Sequence, residues 1–500
     1  MFTGLLTVTV FVPAIGALFI AISGVRGRNV CLVAIAFTLI DLILASWLML
    51  TFDFGADAER FQFIDRFNWM PKTILDAKYH LGVDGLSAPL VLLTALLGLC
   101  AVFASWNIQH RVREYFIFLL VLQTSVLGVF CALDFLLFFI FWELELIPMY
   151  LLIAIWGTGR KEYSAMKFLV FTLFGSAFML VAIVALFLSP TIGHFDMARL
   201  SGEGISGTAD LIIPVKVIFW FFLLAFAIKL PLWPVHSWLP DAHTDAPTAV
   251  SVMLAGVLLK MGGYGLIRIS AGIFPDLVVE YQWQLVTLGV ISILYGAVVT
   301  LRQTDLKRLI AYSSVSHMGL VIVGIASIGG ALHYTELGLS GAAMQMFTHG
   351  TITGLLFLVV GLVYDRTHTR YIPDLGGLAH RMPVIATVFL IAGLASLGLP
   401  GLSGFVSELF VLLAAFKAFP WLGALAAFGI VLTAGYILWM IERVFFGVAR
   451  ERFATLSDAT TIEIVPMILL VITIIGVGVY PTMLTNFFDQ GIQHMPGITK

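Results

Sequence analysis

The sequence predicts an all-α polytopic membrane protein, and three observations carry that prediction. Of its 500 residues 60% are apolar and only 11% are charged, which leaves too few polar side chains to cover a water-soluble globule of this size. Mean hydropathy is +1.03. Apolar stretches of roughly 18 to 25 residues recur along the whole chain, each long enough to cross about 30 Å of hydrocarbon at about 1.5 Å per residue.

About fourteen such spans follow from the pattern. They begin near Phe2, Val30, Leu81, Tyr115, Leu133, Ala165, Leu211, Thr248, Leu285, Leu306, Leu337, Pro383, Pro420 and Ile462, and are numbered 1 to 14 in that order. The first lacks a basic leader and is too long for a signal-peptide core, so it is kept as a span, and no cleavable targeting segment is evident. Arg and Lys gather in the turns after odd-numbered spans (Arg26, Arg28, Arg111, Arg113, Arg160, Lys161, Arg302, Arg366, Arg443). The other side holds few, among them Arg60, Arg66, Lys72, Lys78, Arg199, Arg268 and Lys500. The positive-inside bias therefore puts both termini on the outer side, in keeping with an even span count.

Residues 1–110 form an N-terminal unit of spans 1 to 3 with a loop at 53–80, whose mixed charge and spaced aromatics suit a structured hairpin at the outer surface. The stretch GEGISG (202–207) formally matches GxGxxG. Without a preceding strand it reads as a Gly-rich connector. Cys31, Cys100 and Cys131 lie in or beside spans without metal-ligand spacing, so neither disulfide nor metal is expected.

Two spans are interrupted. Span 7 contains Pro231, Pro234 and Pro240, and span 12 contains Pro400 between glycines. Proline removes a backbone donor and clashes with the preceding turn, so the helix breaks at membrane depth, where open backbone survives only inside protein or against a wet cavity. The broken members are five apart. Spans 4 to 8 (111–275) and 9 to 13 (276–447) are accordingly expected to be two inverted five-helix repeats, each a half-channel broken at its fourth member, with span 14 in 448–500.

Ionisable side chains in hydrocarbon cost about 2.5 to 3.5 kcal/mol each on insertion scales and need a partner, water or a task. Span 5 carries Glu143 and Glu145; span 7, Lys229; span 8, Lys260; span 10, His317; span 11, His349; span 12, Glu408. The two acids of span 5 point about 200° apart on a continuous helix, so only one can face a given partner. Glu143 is taken as the carboxylate that pairs with a lysine of another helix. Glu145 is left as a local satellite or a contact to another subunit. A carboxylate about 4 Å from a lysine is worth about 4 kcal/mol at an effective dielectric near 20, against the desolvation of the ammonium, so moving it decides whether the lysine keeps its proton. Lys260 would be the next acceptor, with snorkelling to an interface the plainer alternative. His317 and His349 suit a relay, though each could equally be hydrogen-bonded packing; Ser313, Ser314 and Ser316 could hold water beside His317. Glu408 sits just past the break of span 12, as a last proton station or an N-terminal helix acid.

Three segments, WELELIPMYLLIAIWG, KLPLWPVHSWLPDAHTDAPTAVSVMLAGVLLKMGGYG and LKRLIAYSSVSHMG, together resemble the antiporter-like subunits of respiratory complex I, the proton-pumping NADH:quinone oxidoreductase. The resemblance covers nearly the whole chain. LPGLSGFVSELF resembles the M-type branch, the mitochondrial subunit 4 type, because an acid stands at Glu408 where the L and N types and related cation/proton antiporters carry lysine. The resemblance implies roles for Glu143 in modulating Lys229, for Lys260 as central carrier, for His317 and His349 as relays and for Glu408 as the terminal group. It also implies no cofactor in this chain, with FMN, iron–sulfur clusters and quinone in other subunits, L- and N-type chains and lipids as partners, and no nucleic acid. The implied location is a bacterial inner membrane, or the mitochondrial one for an organellar chain. A subunit of a multi-subunit cation/proton antiporter without redox partners is the alternative.

Overall fold

The computed structural model describes residues 4–55, 58–70, 75, 77–206, 209–328 and 332–495, the side chains of 332–335 excepted. Phe2, Lys72, Gly207 and Lys500 lie outside the described residues. Twelve described helices are long and apolar enough to cross a membrane. They are spans 1 (Leu5–Ile22), 2 (Arg28–Leu50), 3 (Ser87–Ala104), 4 (Val112–Cys131), 5 (Phe135–Trp156), 6 (Lys161–Leu188), 8 (Thr248–Ala271), 9 (Gln282–Thr300), 10 (Leu306–Ala326), 11 (Glu336–Thr367), 13 (Pro420–Phe446) and 14 (Thr461–Val479). Spans 7 and 12 are each built of two half-helices, Val215–Lys229 with Trp238–Asp245, and Pro383–Ser396 with Ser403–Ala418.

The breaks fall where proline and glycine put them, and their freed backbone groups find partners inside the protein. In span 7 the Ile228 carbonyl accepts the Trp238 indole at 2.9 Å, and the Trp233 amide donates to Ser292 Oγ of span 9 at 3.0 Å. In span 12, Gly398 and Gly401 take φ of +78° and +90°, a region other residues avoid. A third interruption, unforeseen, lies in span 5. Its two helices, Phe135–Leu144 and Leu146–Trp156, meet at Glu145. Pro148 has no amide to give to the Leu144 carbonyl, so the hydrogen-bond ladder lapses there.

Burial divides the bundle into a core and a rim. Spans 8 and 11 are wholly enclosed by protein, whereas less than half of spans 1, 2, 13 and 14 is. Polar groups on spans 8 and 11 thus face other helices and not lipid. Span 8 also contains two π-helical stretches, Leu254–Leu258 and Leu266–Ala271, on either side of Lys260. Its counterpart in the second five-span set, span 13, ends in a π stretch at Glu442–Phe446. Such wide turns shift the backbone hydrogen bonds by one residue and recur at functional sites.

Outside the spans, β1 (Gln62–Asn68) and β2 (Lys78–Val83) pair antiparallel. Asp65 of β1 accepts the amides of Gly4 and Thr7 at 2.7 and 2.9 Å, satisfying orphan donors at the start of span 1. Gly204 ends the short helix Met197–Glu203 with φ of +69°, so the GxGxxG match is a helix-stop connector with no strand before it. After span 14 a short helix, Thr482–Gln493, turns Leu484, Phe487, Phe488 and Ile492 inward.

Candidate functional site

Span 5 corrects the expected pairing. Lys229, the last residue of its half-helix, is ion-paired with Glu145 and not with Glu143. Both members of the pair are sealed from the surface, at 1% and 0% exposure, so each charge depends on the other for compensation. Glu145 keeps helical backbone angles (φ −70°, ψ −24°), so span 5 turns one acid inward and the other outward as a helix does, and the acid turned inward is Glu145. Glu143 is left half-buried on the side of span 5 that shows Leu144 and Ile147 to the exterior. Ser176 of span 6 stands beside it, and the Lys229 charge still reaches it. Two aromatic faces flank the lysine, Trp142 and Phe168, each with its centroid 5.5 Å from Nζ.

Span 8 passes directly against the break of span 7. A Cβ on Gly262 would lie 2.6 Å from the Leu230 amide nitrogen, so only glycine permits this approach. On its other side span 8 crosses span 11 with equal closeness, a Cβ on Gly350 falling 2.6 Å from the Gly256 carbonyl. Lys260 is fully buried between the two contacts; it does not snorkel. Its Nζ donates to the Ala255 carbonyl in the first π stretch and reaches His349 Nδ1 at 2.8 Å.

From His349 the row continues. The rings of His349 and His317 have centroids 5.6 Å apart. His317 Nδ1 is 3.3 Å from Glu408 Oε1, and its Nε2 is 3.4 Å from Ser396 Oγ. These side chains, with Gln345 and Thr348, enclose a cavity of about 10 Å³, the space of about one water. Thr348, Ser407 and Gln345 form a hydrogen-bonded string along the same seam, with oxygens 3.0 and 2.6 Å apart. Of the serines expected to attend His317, Ser313 and Ser314 donate back to the Ile310 carbonyl and Ser316 to Ile293. The serine that serves His317 is Ser396, at the broken end of span 12.

One further residue went unread in the sequence. His243, in the second half-helix of span 7, is fully buried, stacks on Phe357 with ring centroids 4.5 Å apart, and has no hydrogen-bond partner on either ring nitrogen among the described residues. It lies within the charge field of both Lys260 and Lys307. Lys307 in turn donates to the Ala246 carbonyl at 2.6 Å and forms part of the wall of an open cavity of about 200 Å³. The signal was present: a histidine in WLPDAH between two prolines inside a hydrophobic span has few ways to be satisfied. Near the start of span 3, Asp84 holds Arg268 in a buried bidentate pair, one arm at 2.6 Å. Among the described residues no group of His, Cys, Asp and Glu is arranged to hold a metal ion.

A buried row of lysines and histidines with an acid at each end, running between two helix breaks, defines the class, a membrane subunit of the ion-translocating, antiporter-like type. Residues 132–433 match the family described as NADH:quinone oxidoreductase/Mrp antiporter, TM, and the chain belongs to that family. It is 40% identical to NADH-quinone oxidoreductase subunit M of Rhodobacter capsulatus, over 98% of this chain and 96% of the relative. It is 37% identical to the subunit M of Rickettsia prowazekii, over 98% of both. Among solved structures, a chain of respiratory complex I from Thermus thermophilus with bound NADH superposes with a TM-score of 0.87 at 29% identity, over 98% of this chain and 99% of that one. A chain of the Mrp complex from Dietzia sp. shares the fold, with a TM-score of 0.82 at 22% identity over 98% and 97%.

Proposed function

We propose that this chain is the M-type, proton-translocating membrane subunit of an NADH:quinone oxidoreductase in a bacterial inner membrane. It works without a redox centre of its own. Quinone reduction in partner subunits, which hold FMN and iron–sulfur clusters, supplies the energy, and L- and N-type antiporter-like chains are its neighbours in the membrane. Protons enter the buried file near Lys229 and His243, collect at Lys260, and pass by His349 and His317 to Glu408.

The observation that carries this reading is the row from Lys260 through His349 and His317 to Glu408, with contacts of 2.8 and 3.3 Å at its two ends and, between the two histidine rings 5.6 Å apart, room for about one water. Every group in it can take up and release a proton, and protein encloses every one.

The test is Lys260→Ala in the assembled complex, reconstituted into vesicles. Proton pumping is lost and coupled NADH:quinone activity falls while assembly persists; full pumping in an assembled variant overturns the reading. Purification of the native complex tests the setting, since flavin and iron–sulfur subunits accompany this chain in an oxidoreductase and do not in a stand-alone cation/proton antiporter.

A further inference from the structure

We propose that Glu145 and Glu143 are alternate berths for the single ammonium of Lys229, and that Glu145 is a proton-carrying residue whose exchange with Glu143 carries one proton inward each time Lys229 moves outward. This inference rests on the proton-translocating reading above and assigns a role to an acid that reading does not need.

One cation contacts one acid and lies within the charge field of a second. In the arrangement observed, Lys229 contacts Glu145, while Glu143 keeps Ser176 beside it. Each acid retains a buried carboxylate oxygen, Glu145 Oε2 and Glu143 Oε1, without a hydrogen-bond partner among the described residues. An unpaired buried carboxylate is far costlier than a neutral carboxyl, so the acid that lacks the ammonium holds a proton. Two states then have equal net charge. In one, Lys229 is paired with ionised Glu145 and Glu143 is protonated; in the other, Lys229 is paired with ionised Glu143 and Glu145 is protonated. Passing between them breaks one O–H bond at Glu143 and forms one at Glu145, with the ammonium moving the opposite way.

The surroundings suit such a step. Lys229 ends a half-helix beside an unwound segment, so its flexible stem is free of a following helical turn. The span carrying both acids lacks one backbone hydrogen bond beside them, between Pro148 and the Leu144 carbonyl. Trp142 and Phe168 present their faces to the ammonium at the Glu145 berth, a surface that tolerates a desolvated cation as it leaves. Glu145 is sealed within the protein and Glu143 lies at the rim, so the exchange moves a proton from rim to interior.

The experiment uses the whole complex in vesicles with variants E145Q, E143Q, E145D, the double E143Q/E145Q, and K229A. Because one shuttle needs both acids, each Gln variant loses pumping by about 10²-fold and the double variant by about 10²-fold, not by the product of about 10⁴. E145D, which keeps the charge, restores most of the rate, as a purely structural role for the side chain would not. Pumping by E145Q within about two-fold of the parent, or multiplied losses in the double variant, overturns the proposal. Should E145Q not assemble, E143Q decides alone, because normal pumping without the rim acid is equally fatal. K229A separates the two levels: if it pumps normally the relay reading itself fails, and if it is inactive while E145Q is normal only the berth exchange fails.

Discussion

Replacing His349 with phenylalanine removes the one side chain that joins Lys260 to the second half of the relay. Lys260 Nζ is 2.8 Å from His349 Nδ1, and the His349 ring is 5.6 Å from that of His317. Phenylalanine fills much the same volume but can neither accept nor donate. The neighbouring cavity of about 10 Å³ holds about one water, too little to rebuild a chain across the missing ring. A positioned proton-transfer group is worth about 10²- to 10⁴-fold, so the barrier rises by about 3 to 5 kcal/mol. Stability suffers less. Lys260 keeps its bond to the Ala255 carbonyl, and losing its second acceptor costs about 1 to 3 kcal/mol, within the margin of a large membrane bundle. The assay is pH-dye quenching driven by NADH in vesicles, with subunit content checked by gel. His349→Phe assembles and pumps at least about 10²-fold more slowly; an assembled variant within about two-fold of the parent rate refutes the reasoning.

Two further outcomes follow from other parts of the molecule. Gly398→Ala would place a Cβ 2.6 Å from Glu408 Oε2 at a backbone φ of +78°, adding about 1 to 2 kcal/mol of strain and pushing the carboxylate off His317. Its pumping falls while the complex still assembles, and unchanged pumping would show that Glu408 needs no fixed position. In the β1–β2 hairpin, burial holds His80 down at about 4, against the partial support of Asp196. A histidine buried neutral contributes stability that is present above about pH 6.5 and is lost as pH falls toward about 4, a total of about 3 kcal/mol at most. Melting of the purified complex between pH 7 and 5 should show this loss, and His80→Gln should flatten it; an equal slope in the variant contradicts the assignment.

Much of the fold was legible because it follows from strong, local physics. Spans are read from length and hydropathy, and the breaks of spans 7 and 12 from Pro231, Pro234 and Pro400, since neither signal depends on what packs nearby. The site residues on spans 8, 10, 11 and 12 were legible for a related reason: charge in hydrocarbon is too costly to be accidental. Partner choice was not legible. Glu143 and Glu145 differ by two positions, and a continuous helix would turn one of them away from any given lysine. Which of them faces Lys229 depends on how span 5 is rotated against span 7, and tertiary packing decides that. His243 was passed over although it lies in the broken span 7, because the sequence does not show that the half-helix Trp238–Asp245 buries it completely. Ser313 and Ser314 were misread because hydroxyls inside helices bond most readily to their own backbone, and Ser316 because it donates to the Ile293 carbonyl of span 9.

The most direct measurement is a density map of the intact complex sharp enough to show ordered water inside this chain. Waters should link Lys229 and His243 to Lys260, and at least one should sit between His349, His317 and Glu408. Dry, closely packed apolar side chains separating Lys260 from Glu408 would leave hydrogen ions no way through, and would contradict the relay outright.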